Sequence, residues 1–109
     1  MVMQGIQRFD ICLVQLDPAQ GFEIKKTRPC VIISPDEMAA LKTAIVAPMT
    51  SKGFSYPTRI QCTFQRKKGL ILLDQMRAAD KFRLIQKLGV ISKNTQIKII
   101  NCLQELFAL

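Results

Sequence analysis

Lys25-Lys26-Thr27-Arg28-Pro29 sets three cations and a hydroxyl beside a residue that restricts the backbone ahead of it. Pro29 pushes Arg28 into extended geometry. A guanidinium that is always charged, with a planar fork of donors suited to phosphate oxygens, is thereby offered from a defined position. An ordinary ion pair with Glu23 or Asp17 is an equally good account of Arg28 on these residues alone. A second group is Pro48-Met49-Thr50-Ser51, where two hydroxyls follow an apolar run. Such hydroxyls most often satisfy nearby backbone groups, so the pair is informative only in company. The third is Leu72-Leu73-Asp74-Gln75-Met76-Arg77. A carboxylate ending a buried apolar strand needs a cation, so Asp74 is expected to pair with Arg77 or another base. Gln75 can donate and accept, and so can read a base edge or brace the core.

What is missing narrows the chemistry further. The chain has no histidine, which removes the usual general acid/base and every Ser-His or Cys-His nucleophile pair. Cys12, Cys30, Cys62 and Cys102 are widely spaced with no C-x-x-C, so zinc is disfavoured and no metal is expected. Cys12 and Cys30 lie in apolar runs, where a thiol acts as a small hydrophobe, as fits a reduced, cytoplasmic interior. The balance of 16 Lys+Arg against 8 Asp+Glu gives a formal charge of +8. That charge keeps a small protein soluble, and it also suits a polyanionic partner, nucleic acid or an acidic protein segment. No secretory signal is expected from Met1 to Gln7, and no stretch has the length of a membrane span.

These groups need a scaffold. With 109 residues, 49% of them apolar, a single domain over 1–109 can bury one core. Residues 10–16 read as a first strand stopped at Asp17-Pro18, residues 17–27 as a polar loop, and 28–33 as a second strand. One helical turn is expected within 36–41, a third strand over 43–47 ending at Pro48, and a loop over 49–57. Residues 58–64 alternate as a half-exposed strand. Lys67-Lys68-Gly69 is expected to be a turn, with Arg66 to Lys68 a solvated charge run, feeding a buried strand from Leu70 to Leu73. A strand over 84–91 and a helix from Lys93 onward, capped by Ser92 or Asn94, complete the chain. Ile99, Cys102, Leu103 and Leu106 form the helix stripe. Six short strands with one terminal helix predict a mainly β (α+β) fold, a small antiparallel barrel with a helix against it. Phe22, Phe54 and Tyr56 fall in loops, where they either stack on bases or plug the barrel, and plugging is the expectation for Phe54.

In these segments the chain resembles the MazF/PemK family of toxins from type II toxin-antitoxin modules, sequence-specific endoribonucleases also called mRNA interferases. The resemblance rests on ordered blocks: Asp10-Ile11, Leu16-Asp17-Pro18 with Gly21 and Glu23, Lys26-Thr27-Arg28-Pro29, and Val31 to Asp36. Val46 to Ser51, Leu72 to Arg77, Asp80-Lys81, Arg83-Leu84 and Leu88-Gly89 continue it. It implies an SH3-like barrel, a homodimer, and metal-independent cleavage of single-stranded RNA that leaves 5′-hydroxyl ends and needs no cofactor. It further implies neutralisation by a cognate antitoxin through an acidic C-terminal segment, and contact with operator DNA only through that antitoxin. By the same resemblance Arg28 and Thr50 are the catalytic pair. Gln20, Gly21, Glu23, Lys25, Lys26, Thr27, Ser51, Asp74, Gln75 and Arg77 are then the RNA-binding residues.

The chain departs from some relatives in ways that matter. Leu72 stands where the plasmid-encoded branch carries an arginine and no histidine occurs, so an Asp-Arg-His scheme has no residues to use. Ala78 and Ala79 replace a threonine and a β-branched residue, and Ala19 and Ile24 replace residues more often polar. Two other readings compete. One is a non-catalytic toxin of the same fold that poisons DNA gyrase, a family that depends on a C-terminal tryptophan; this chain has none. The other is a basic nucleic-acid-binding module whose binding survives loss of Thr50.

Overall fold

The computed structural model describes residues 5–17 and 26–109. Seven strands are followed by one helix: β1 (Asp10–Asp17), β2 (Lys26–Ile32), β3 (Thr43–Thr50), β4 (Arg59–Phe64), β5 (Lys67–Leu72), β6 (Arg77–Asp80), β7 (Leu84–Val90) and α1 (Lys93–Leu106). The strands pair antiparallel in the order β4-β5-β3-β2-β1-β7, and β6 pairs with β3 off that path. The ends of this order, β4 and β7, come together through side chains: a Cβ added at Gly89 in β7 would meet the Phe64 ring of β4 at 3.5 Å. The expected small barrel is therefore present as an open one. Register shifts in β1, between Ile11 and Cys12, Leu13 and Val14, and Gln15 and Asp17, supply local bending.

Alternation along the strands splits the apolar residues into two cores. Ile11, Val31, Ala47, Met49, Ile60, Ile71 and Leu73 face one interior, closed by Ile99 from α1. Cys12, Val14, Cys30, Ile32, Val46, Ala79 and Leu84 pack on the opposite face. Both cysteines expected to be apolar fillers are fully buried. Helix α1 begins at Ser92, whose hydroxyl accepts the Thr95 N–H, and fully burying Ile99 contributes about 1.5–3 kcal/mol. Asp10 is the one buried charge among the described residues; it accepts the Gln7 N–H at 2.8 Å and pairs with Lys87 at 3.4 Å.

Four expectations need correction. There are seven strands rather than six, because Arg77–Asp80 forms β6 against Thr43 to Val46 although it holds no β-branched residue. The turn before β5 is Gln65-Arg66, with φ of 50° and 65°, and Lys67 to Gly69 lie inside the strand. Pro48 does not end β3. It sits where one edge of β3 passes from β6 to β5, a gap that tolerates a residue without an N–H. Phe54 does not plug the barrel; it is 67% exposed. The helical turn expected near residue 36 is present as a 3₁₀ turn, Asp36–Met38. Among the described residues no helix is long and apolar enough to cross a membrane.

Candidate functional site

The site is built where β2 and β3 run out of mutual pairing. Cys30 lies opposite Pro48 and Ile32 opposite Val46. Carrying that register two residues further sets Arg28 opposite Thr50. The alternation of a strand puts both on the face of Cys30 and Ile32, just past the end of the smaller core. Arg77 joins this face from β6, because it pairs with Val46. Two guanidinium groups and a threonine hydroxyl therefore share one side of the sheet. Arg28 is exposed; the ion-paired carboxylates Asp10 and Asp74 are held by Lys87 and Arg59, and the side chains of Asp17 and Glu23 lie outside those described.

Thr50 is fixed by its neighbours. Its Oγ1 accepts the Lys52 N–H at 3.1 Å, which leaves the hydroxyl proton available to a ligand. On its other side Thr50 pairs with Leu70, and the adjoining Gly69 lies so close that a Cβ there would come within 2.9 Å of the Thr50 carbonyl oxygen. An open groove of about 410 Å³ runs past these groups, lined by Thr27, Arg28, Thr50, Ser51, Lys67 and Lys68 among others. A second groove of about 530 Å³ shares Ser51, Cys62, Lys68 and Gly69 with it and continues along the outer side of β4 and β5.

The thiols near the groove are not nucleophiles. Burial pushes Cys30 up to about 12 even though Arg28 and Arg77 oppose the shift, and burial pushes Cys12 up to about 11. Cys62 is raised by burial as well. With no histidine and no low-lying thiol, the groove offers fixed positive charge and hydroxyls. That set binds a phosphodiester and stabilises charge growing on it. Among the described residues no cluster of His, Cys, Asp or Glu could hold a metal ion.

Residues 7–107 match the family model described as the PemK-like, MazF-like toxin of type II toxin-antitoxin systems. The chain belongs to this family. It is 32% identical over 105 residues to a protein named Endoribonuclease MazF from Staphylococcus epidermidis, covering 90% of this chain and 88% of that one. Its fold is similar to the MazF of the MazE-MazF complex from Deinococcus radiodurans, at TM-score 0.78 and 20% identity over 93% and 94% of the two chains. A mycobacterial endoribonuclease solved with its cognate antitoxin gives 0.77 at 18% identity over 93% of each.

Not every residue carried over from the MazF/PemK pattern meets in the groove. Thr27, Arg28, Thr50 and Ser51 do. Arg77 shares their face at its margin, while Asp74 and Gln75 line neither groove. Gln20, Gly21, Glu23 and Lys25 lie outside the described residues, as does the alternative pairing of Arg28 with Glu23; Lys26 opens β2 opposite Asp17. Asp74 has a cation partner as expected, but it is Arg59 rather than Arg77. Its carboxylate accepts from Arg59 Nε at 3.3 Å and Nη2 at 3.4 Å and from Thr58 Oγ1 at 3.2 Å, bracing the start of β4. Lys67 and Lys68 are hidden from sequence reasoning, because Gln65-Arg66 is a two-residue hairpin loop without the Asn or Gly that marks one, and Gly69 supplies a turn signal from inside β5.

The Arg59 hydrogen bond, aided by Thr58, holds the Asp74 carboxyl below its ordinary range. A lowered native pKa means stabilisation that is complete above the unfolded value of about 4 and is lost as pH falls through the native one. Asp74→Asn is expected to lower the urea midpoint slightly at pH 7, by less than about 1 kcal/mol for so exposed a pair. Its curve should merge with the wild-type curve at acid pH, once the Asp74 carboxyl is protonated in the native state. A deficit of equal size at both pH values rules out the ionic brace.

Proposed function

We propose that this toxin is an endoribonuclease that cuts single-stranded RNA by attack of a ribose 2′-hydroxyl on the adjacent phosphate, with Arg28 and Thr50 as its catalytic residues. The observation that carries this reading is the one groove that Arg28 and Thr50 line together with Lys67 and Lys68. In the reaction the 2′-oxygen bonds to phosphorus, the bond from phosphorus to the 5′-oxygen breaks, and the products are a 2′,3′-cyclic phosphate and a 5′-hydroxyl. The 2′-hydroxyl proton is lost to solvent and the leaving oxygen takes one back. Negative charge peaks on the phosphorane oxygens, where the Arg28 fork donates. Arginine has a pKa above about 12, so Arg28 holds charge and does not shuttle the proton. Thr50 donates its free hydroxyl proton to the same phosphate, while Thr27 and Ser51 border it. Lys67, Lys68 and Arg77 attract the flanking phosphates.

The 32% identical relative is named an endoribonuclease, which supports the reaction class. Solved relatives bound to MazE or to a cognate antitoxin support an antitoxin as this toxin's partner. We further take the active form as a cytoplasmic homodimer, the antitoxin's acidic C-terminal segment as a competitor for the cationic groove, and operator DNA as reached only through the antitoxin. Purified protein incubated with a long RNA in EDTA is expected to release discrete fragments ending in 2′,3′-cyclic phosphate. Intact RNA across several diverse transcripts, or cleavage only after a divalent metal is added, overturns the reading.

A further inference from the structure

The loop after Thr50 carries two large aromatic side chains that folding leaves in solvent. Phe54 is 67% exposed and Tyr56 56% exposed, with ring centroids 5.7 Å apart at an interplanar angle of 48°. They are not loose. The Arg59 guanidinium stands 5.2 Å from the Phe54 centroid and 5.7 Å from the Tyr56 centroid, and its Nη1 donates to the Phe54 carbonyl at 3.4 Å. Arg59 is in turn held by Asp74, which also neutralises its charge. A carboxylate, a guanidinium and two rings thus form a chain of contacts whose outer end is an aromatic surface open to solvent.

Its position connects it to the groove. Ser51, Gly53 and Ser55 of this loop line the 530 Å³ groove that continues from Arg28 and Thr50, and Phe54 and Tyr56, which alternate with them in sequence, stand at its border rather than in its lining. Lys68 and Lys98 line the same groove. A strand of alternating phosphates and bases needs cations along its backbone and flat apolar faces for its unstacked bases, and this edge offers both. An acidic peptide would use the lysines but has little use for two rings pinned by an arginine.

Resting on the ribonuclease reading, we propose that Phe54 and Tyr56 form a stacking subsite for an unpaired base flanking the cleaved phosphate. Because the rings are already held by Arg59, little ordering cost falls on binding. The subsite tolerates any base with a π-face, so it adds affinity rather than reading sequence.

Tyr56 is the single tyrosine of a chain without tryptophan, so tyrosine fluorescence reports this loop alone. Titrating Arg28→Ala, which on the proposed mechanism binds RNA but cuts it far more slowly, with a single-stranded RNA oligonucleotide is expected to quench that emission after inner-filter correction. Inorganic polyphosphate should occupy the groove without quenching. In cleavage assays Phe54→Ala should raise KM about 5- to 140-fold, the span of one stacked base, with the loss carried by KM rather than kcat. Phe54→Trp should restore it, which a merely structural role would not. Unquenched emission with RNA bound, an unchanged KM, or quenching by an acidic peptide but not by RNA each overturns the subsite while leaving the ribonuclease intact. Failure of the wild-type protein to cut or bind RNA removes both.

Discussion

Replacing Arg28 by alanine is expected to lower the cleavage rate about 10²- to 10³-fold, the usual loss when one donor to a developing anion is removed. On the proposed mechanism the effect should lie in kcat, because Arg28 would face the charge that appears at the phosphorane, whereas Lys67 and Lys68, which line the same groove, would contribute to binding whole RNA. Stability should shift by no more than about 0.5 kcal/mol, since the side chain is exposed. Arg28→Lys separates charge from geometry: it keeps the cation and loses the fork, so an intermediate rate is expected. Single-turnover cleavage beside urea unfolding of the same preparations measures both quantities. An alanine variant within threefold of wild type removes Arg28 from the mechanism.

Gly69→Ala is expected to be nearly as damaging without touching any group that meets RNA through a side chain. The added Cβ would stand 2.9 Å from the Thr50 carbonyl oxygen and 3.6 Å from its carbonyl carbon. Both are backbone atoms, so no rotamer change relieves the clash; β3 and β5 must separate where Thr50 pairs with Leu70. A displacement of about 1 Å at a catalytic group costs on the order of 10²-fold. The accompanying overpacking costs about 1–3 kcal/mol. Activity per folded molecule distinguishes the two effects. Ile71→Val, which loses about 1 kcal/mol in the core next to this position, serves as the matched control and should keep its kcat. A Gly69→Ala protein with wild-type kcat shows that Thr50 does not depend on this approach.

Much of this arrangement is written locally in the chain, and some is not. Strands with apolar runs, such as Ile11 to Leu16 and Val31 to Ile33, declare themselves because both of their faces are buried. Arg28 is legible through Pro29, and Ser92 through its capping of α1. Strand β6 is not, because Arg77-Ala78-Ala79-Asp80 has little intrinsic preference for extended structure and takes it from the exposed edge of β3. Thr50 is visible as a hydroxyl, yet its place inside a strand is hidden by Pro48, which breaks most strands but here falls in a gap of the ladder. The loop position of Phe54 and Tyr56 is legible, but the exposure of the Phe54 ring is not. Aromatic residues usually go inside, and only the Arg59–Asp74 brace explains why these stay out.

The buried thiols give one face of the sheet a chemical durability of its own. Cys12 and Cys30 face each other across β1 and β2 on the face of the sheet that carries Arg28, and burial pushes the two thiols up to about 11 and about 12, which disfavours the thiolate at neutral pH. Peroxides and alkylating agents attack thiolates, and these two are also shut away from solvent. Oxidants therefore find no handle in the pair beside Arg28. Oxidation at the site falls instead to Cys62, the half-buried thiol that lines both grooves.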